Sequence, residues 1–421
     1  MTHAPEPGDI RARVGSRGEL RLPKAVRRRW GLTPNAEYLI EETEDGLLLR
    51  PADPPLRKVY VEPTTACNLN CPICIRRSWD EPGGTMAMAT YRQLAEGLRQ
   101  APTLKAVAFW GLGEPLLHPD IVEMVSMASE LGARTELITN GLLLDAAMAE
   151  GLITAGLDTL VVSVDGTTPA SHTEVRAGAD LKCVQQQVRE LHTIRRGLRR
   201  ENPEIGLEFV VTRRNLSELP GLRHLAHAME ASFVVVTNVL PYTRQFTDEI
   251  LYGLSAGDGW QPRRSHWKPQ ILLPRLDARP ESLGPLLELL RRGGTIDPLL
   301  GRPEKAYGYC RFVREGTVAV AWDGGASPCV PLMHGYTCYV LGREKAIRRY
   351  AVGNVRDENI SQIYAQEEYR RFRVRVIEFD FSPCADCGGC DYAETNEEDC
   401  FGNPFPVCGD CLWARGIIQC P

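Results

Sequence analysis

Thr64-Thr65-Ala66-Cys67-Asn68-Leu69-Asn70-Cys71-Pro72-Ile73-Cys74 is the stretch on which the reading of this chain turns. It follows directly on Lys58–Glu62, whose β-branched and aromatic residues predict a strand. The spacing Cys-x3-Cys-x2-Cys puts three thiols on one loop. Three such thiolates can wrap one face of a cubic iron–sulfur cluster, because thiolates are the usual ligands of these clusters. The cube has four corners, so one iron stays open to another ligand. A zinc site with a distant fourth ligand is the alternative reading of the same residues.

Outward from this loop, the chain alternates strand and helix from Arg57 to about Thr243. Strands are expected at Lys58–Glu62, Lys105–Trp110, Arg134–Thr139, Thr159–Val164, Gly206–Thr212 and Phe233–Asn238. Helical stretches lie between them, among them Thr90–Gln100, Ile121–Leu131 and Leu181–Leu198. Repeated βα units with apolar strands imply a parallel sheet covered by helices. Ligand sites of such folds form at the C-terminal ends of the strands. Those ends carry Trp110-Gly111-Leu112-Gly113-Glu114-Pro115, Thr139-Asn140-Gly141 and Ser163-Val164-Asp165-Gly166, and Val175-Arg176-Ala177-Gly178 follows.

The cysteine loop and these motifs, in this order, resemble the radical S-adenosylmethionine (SAM) superfamily. The resemblance implies a partial (β/α)6 barrel. It implies a SAM-binding [4Fe-4S] cluster on Cys67, Cys71 and Cys74. It also implies SAM contacts from Gly113, Glu114, Thr139, Asn140, Ser163, Asp165 and Arg176. Leu112 departs from the family loop, where a glycine is usual. Glu114 suits the methionine ammonium, since a buried ammonium needs a charge-assisted acceptor. Asn215 and Asn238 are expected to face the same site.

Composition agrees with a metal enzyme. The 421 residues are 43% apolar and 24% charged with a net charge of −5, which excludes disordered and fibrous classes. The absence of an 18-residue apolar run excludes a membrane-spanning helix. Met1–Glu6 lacks the features of a secretory signal, so a cytoplasmic, reducing location is expected. Fourteen cysteines in such a compartment point to metal or redox chemistry rather than disulfides.

Ten of those cysteines lie from Cys310 onward. Cys310 and Cys329, with Gly324 between, resemble the opening of the SPASM extension, which carries auxiliary clusters. The resemblance implies one or two auxiliary [4Fe-4S] clusters held by Cys310, Cys329, Cys384, Cys387, Cys390, Cys400, Cys408, Cys411 and Cys420. The later spacing departs from the common pattern, which leaves the ligand sets open. Two clusters need at most eight thiols; Cys338, in a Tyr-rich stretch outside any Cys-x2-Cys pair, is taken as a non-ligand, and either one of the remaining nine is also spare or one cluster uses fewer. Zinc ribbons are the alternative.

The front of the chain is basic, with eight bases against one acid from Arg11 to Arg29. Gly18–Val26, Gly31–Pro34 and Gly46–Leu49 resemble the AbrB-type swapped-hairpin domain. That fold implies an intertwined dimer through residues 8–53. Dimerisation or holding a partner is the preferred role, and phosphate contacts on DNA are the alternative.

Cys74–Pro82, Asp399–Pro404, Cys408–Ala414 and Gln419–Pro421 resemble radical SAM maturases associated with tungsten-containing aldehyde oxidoreductases. The implied activity is reductive cleavage of SAM to a 5′-deoxyadenosyl radical that takes hydrogen from a substrate. The implied role is maturation of a tungsten–pterin aldehyde oxidoreductase or its cofactor, with a flavodoxin- or ferredoxin-type electron donor. A peptide-modifying maturase is the second enzyme reading, and a DNA-binding iron–sulfur sensor the third. No residue stands out as catalytic acid or base. The expected division is 8–53 AbrB-like, 56–250 barrel, 251–300 connector or insertion, and 301–421 SPASM-like.

Overall fold

The computed structural model describes residues 12–29, 38–43, 46–79, 81–252, 270–273, 276–277, 279–291, 295–298, 308–385 and 390–420. At the front, β1 (Arg13–Val14) pairs antiparallel with β2 (Leu20–Arg21), and α1 (Lys24–Arg29) follows. A second hairpin joins β3 (Tyr38–Thr43) to β4 (Gly46–Pro51).

The barrel strands are β5 (Lys58–Val61), β6 (Ala106–Phe109), β7 (Arg134–Thr139), β8 (Thr159–Ser163), β9 (Glu204–Val211) and β10 (Phe233–Asn238). They pair in sequence order, all parallel. Val107, Leu137, Val162, Leu207 and Val234 are fully buried, as strands covered on both faces require.

Helices α2 (Met88–Arg99), α3 (Ile121–Glu130), α4 (Ala146–Ala155), α5 (Pro169–Val175), α6 (Leu181–Gly197) and α7 (Leu222–Ala228) connect the strands. In α3, Ile121, Met124, Val125 and Ala128 form one buried stripe, and in α6 Leu181, Val184, Val188 and Leu191 form another. Each large buried side chain contributes roughly 1.5–3 kcal/mol relative to exposure. The Asp145 side chain caps α4 by accepting from Met148 N at 2.9 Å, and Gly156 ends that helix at φ 89°.

The segment expected to be a connector carries regular structure instead. There β11 (Gln270–Leu273) and β12 (Thr295–Pro298) flank α8 (Pro280–Arg291). Both strands extend the sheet beyond β10 in parallel register. The masking signal in the sequence is its Gly, Pro and Arg content, which hides two four-residue strands.

After the short helix α9 (Arg311–Arg314), the opposite edge of the sheet grows too. There β13 (Thr317–Val320) pairs parallel with β5, and β14 (Gly325–Ser327) and β17 (Gly353–Asn354) add antiparallel. The full order is β12-β11-β10-β9-β8-β7-β6-β5-β13-β14-β17, an open arch of eleven strands. A separate hairpin, β15 (Tyr336–Val340) with β16 (Arg343–Ile347), lies between β14 and β17 in sequence. Helices α10 (Ile360–Ala365) and α11 (Glu367–Glu378) precede the last cysteines.

Two features bind this region to the rest. Arg373 on α11 is 1% exposed and holds Asp53 bidentately at 2.7 and 2.9 Å, so it fixes the linker that follows β4. Near the other end, Asn238 Nδ2 donates to Ile417 O at 2.9 Å, and Gln419 N donates to Thr237 Oγ1 at 2.9 Å. The run 411–420 therefore packs against β10. No helix among the described residues is long and apolar enough to cross a membrane.

Candidate active site

The cysteine loop leaves β5 and is stitched back twice. Thr64 Oγ1 donates to Gly84 O at 3.1 Å, and Glu114 N donates to Ala66 O at 2.7 Å. The second bond brings the Gly113-Glu114 loop, at the end of β6, against the cysteines. Only glycine fits at 113, because a Cβ there would lie 2.2 Å from Thr64 O and 2.5 Å from Ala66 O. Cys74 N donates to Cys71 O at 3.2 Å, which turns the chain so that the three thiols share one loop.

Glu114 is 2% exposed. Its Oε1 accepts from Thr139 Oγ1 at 2.7 Å and from Leu116 N at 3.1 Å, and its Oε2 accepts from Asn140 N at 2.8 Å. Burial pushes this carboxyl up, against those hydrogen bonds. Asn140 Nδ2 reaches Asn68 Oδ1 at 2.7 Å, so the end of β7 also touches the cysteine loop.

Asp165, after β8, is fully buried and accepts from Arg176 Nε at 2.6 Å and from Val210 N at 2.8 Å. Burial opposes the Arg176 charge, but Asp165, the Cys71 thiol and Glu208 overcome it and raise its pKa. Burial in turn pushes the Cys71 thiol up to about 11, with Arg176 acting against it. The cation therefore stands beside the thiols. A bound metal supplies positive charge that deprotonates a coordinating thiol, and so offsets the burial.

Asn215 does not present its amide to this space. It donates to Asp165 O and Val210 O at 2.9 Å each and so braces the β8 and β9 ends. Asn238 points instead to the 411–420 run. Glu208 was not singled out from sequence. It lies inside β9, where Ser163 Oγ donates to it at 3.2 Å, and burial pushes its carboxyl up to about 7. Its signal was one acid within the apolar run Ile205–Val211.

The later cysteines separate into groups. Burial raises the Cys329 thiol well above its ordinary value, and neighbouring Cys310, Cys411 and Cys408 add to that rise. Cys408 responds in the same way to Cys411 and Cys310. These four line one buried space with Phe312 and Trp413. Cys384 and Cys400 form a second neighbourhood around Ser382, whose Oγ lies 3.0 Å from Cys400 Sγ. Cys390 is exposed, and Cys387 lies outside the described residues. Cys338 is 2% exposed on β15, opposite Lys345. Cys420 sits with Lys58, Tyr60 and Trp413, and burial pushes its thiol up to about 12. Cys183 is half-buried on α6. Among the described residues, no three His, Cys, Asp or Glu side chains converge on a single metal ion.

Comparison with known proteins agrees with this geometry. Residues 61–196 match the description of the radical SAM superfamily. Residues 310–391 match SPASM, an iron–sulfur cluster-binding domain, and residues 11–57 match antidote–toxin recognition MazE, a bacterial antitoxin. The tungsten-containing aldehyde ferredoxin oxidoreductase cofactor-modifying protein of Pyrococcus furiosus is 30% identical over 370 residues, which covers 87% of this chain and 97% of that one. A PqqA peptide cyclase of Gluconobacter oxydans is 28% identical over 372 residues, 84% of this chain and 90% of that one. The crystal structure of Streptococcus suis SuiB bound to S-adenosylmethionine shares the fold, with a TM-score of 0.53 at 15% identity over 84% of this chain and 74% of that one. With the cysteine loop, the strand-end motifs and near full-length similarity in agreement, the chain is a radical SAM enzyme with a SPASM extension and belongs to the family of the Pyrococcus cofactor-modifying protein.

Proposed function

We propose that this enzyme matures a tungsten–pterin aldehyde oxidoreductase, or its cofactor, by abstracting a hydrogen atom from it. The observation that carries the reading is the similarity to the Pyrococcus protein across 97% of that protein's length. When bound, the reduced cluster and SAM supply the hydrogen-atom abstraction. This chain's residues do the rest. Cys67, Cys71 and Cys74 hold the SAM cluster. Glu114 accepts the methionine ammonium, and Thr139 and the Asn140 backbone keep that carboxylate in place. Gly113 lets the loop approach the cysteine loop closely. Arg176 takes the SAM carboxylate, and Asp165 acts through Arg176 by fixing its guanidinium. Ser163 and Glu208 line the barrel next to it.

Cys310, Cys329, Cys408 and Cys411 hold one auxiliary cluster. Cys384, Cys387, Cys390 and Cys400 hold the second. Cys338 and Cys420 are then the two spare thiols. A flavodoxin- or ferredoxin-type protein supplies electrons, and the reducing cytoplasm keeps the fourteen thiols available.

A peptide substrate is the second reading, favoured by the similarity to the PqqA peptide cyclase. The test is 5′-deoxyadenosine formation by anaerobically reconstituted, reduced protein given SAM, with Cys71→Ala as control. Addition of a tungsten–pterin apo-oxidoreductase is expected to raise product in the wild type alone. Stimulation by a peptide and not by the oxidoreductase would move the assignment to the second reading.

A further inference from the structure

His334 stands in the turn between β14 and β15 and is 1% exposed. Its Nε2 lies 2.8 Å from Glu62 Oε2, and its Nδ1 lies 3.0 Å from Glu81 Oε2. The ring packs on Trp79 with centroids 4.6 Å apart. Trp79 and Glu81 belong to the unusual Cys74–Pro82 string, whose purpose the cluster ligands do not explain.

Each carboxylate is also tied to backbone. Glu62 follows β5, is fully buried, and accepts from Leu112 N at 3.0 Å and Trp322 N at 3.3 Å. Glu81 accepts from Gly335 N at 2.6 Å. Gly111 leaves the room for this, since a Cβ there would lie 2.4 Å from Glu62 Cγ. Leu112 immediately precedes Gly113 and Glu114. The path therefore runs from the loop that ends β6, through Glu62 and His334, to the stretch after the cysteine loop that holds Glu81, and to the segment between β14 and β15 that carries Cys329.

A neutral imidazole donates one hydrogen bond and accepts at its other nitrogen. Between two ionised carboxylates that would aim a lone pair at an anion in a buried space, which is costly. An imidazolium donates to both. We infer that His334, held as an imidazolium between Glu62 and Glu81, is a positioning residue that locks the methionine end of the SAM site to the auxiliary-cluster domain.

This inference rests on the placement of SAM at the Glu114 loop. Burial lowers the His334 pKa, but its bonds to Glu62 and Glu81 outweigh burial and raise it. The other charges facing the ring are Asp323 and its bidentate partner Arg349, 2.7 and 2.8 Å apart. With a raised pKa, the clasp is intact at neutral and lower pH and opens as pH rises through that value.

The test uses the cluster-reconstituted full chain and measures SAM Kd by anaerobic equilibrium dialysis from about pH 6.5 to 9. Losing one charge-assisted bond is expected to weaken wild-type binding about ten-fold toward the alkaline end. His334→Gln is expected to bind weakly at every pH, with a flat profile. Glu81→Gln keeps an acceptor for Gly335 N and is expected to move the wild-type transition to lower pH. A His334→Gln enzyme with full iron and the wild-type profile would overturn the inference. If that variant loses its clusters, an unshifted Glu81→Gln profile overturns it equally. Unchanged affinity in Glu114→Gln would instead remove the SAM placement itself, and the inference with it.

Discussion

Cysteine is the residue type that this protein uses for two different ends, and neighbours decide which. Cys411 raises the pKa of Cys310, Cys329 and Cys408, and Cys310 raises that of Cys329 and Cys408, so these four lie near one another. Cys338 lies opposite Lys345 and lines an apolar space with Leu240 and Val340 that Cys329, Cys408 and Cys411 also line, while Cys420 faces Tyr60, Glu208 and Lys58. These surroundings support the proposed assignment of ligands. Reconstituted Cys408→Ala is expected to lose about a third of its iron, since one of three clusters goes. Cys338→Ala and Cys420→Ala are expected to keep it all. Iron and sulfide analysis checks this, and iron loss in either of the last two would break the assignment.

At the scale of elements, the run that follows α11 has little regular structure among the described residues and relies on specific polar ties to the strands before it. Lys345 on β16 donates to Asp410 Oδ1 and Oδ2 at 3.0 and 2.8 Å and to Thr395 O at 2.7 Å. Both side chains are about 5% exposed or less. Asp410 lies between Cys408 and Cys411, so the strand holds the turn that presents two thiols. Lys345→Met removes the cation and leaves a buried carboxylate. The expected cost is about 3–5 kcal/mol of stability, read as a lower urea midpoint. The double variant Lys345→Met, Asp410→Leu should recover part of it. No loss in the single variant would show that the pair contributes nothing.

The same scale shows where sequence reading worked. The six barrel strands and the loops that end them were legible because period, turn residues and motifs agreed. The strands β11 and β12 were not. Each has four residues, and each is held only by pairing with an edge of the existing sheet. His334 carried no legible signal in the sequence, because its two carboxylate partners lie 253 and 272 positions away.

At the scale of the whole molecule, the N-terminal unit stands out. Val14, Leu20, Ile40 and Leu49 are 72%, 47%, 63% and 37% exposed, an unusual set for so small a unit. A second copy of the chain would cover them, as the swapped-hairpin resemblance implies. Light scattering of the full chain is expected to give twice the 46.8 kDa of one chain. Val14→Asp with Ile40→Asp is expected to give the monomer and leave SAM-dependent chemistry intact. A monomeric wild type would sink the dimer and turn attention to DNA, which the eight bases from Arg11 to Arg29 suit.

By itself the sequence determined the chemistry class. Cys67, Cys71 and Cys74 with Glu114 and Arg176 are short motifs, each complete within a few residues of one loop, so no folding was needed to read them. The tertiary structure decided which distant groups meet. It turned Asn215 into a brace for Asp165, put Glu208 beside Ser163, and sorted the cysteines after position 310 into neighbourhoods. It also carried β13 onto β5, so that the auxiliary domain shares the barrel's sheet. Such pairings depend on burial and hydrogen bonding between residues tens to hundreds of positions apart, and a linear pattern holds no record of either.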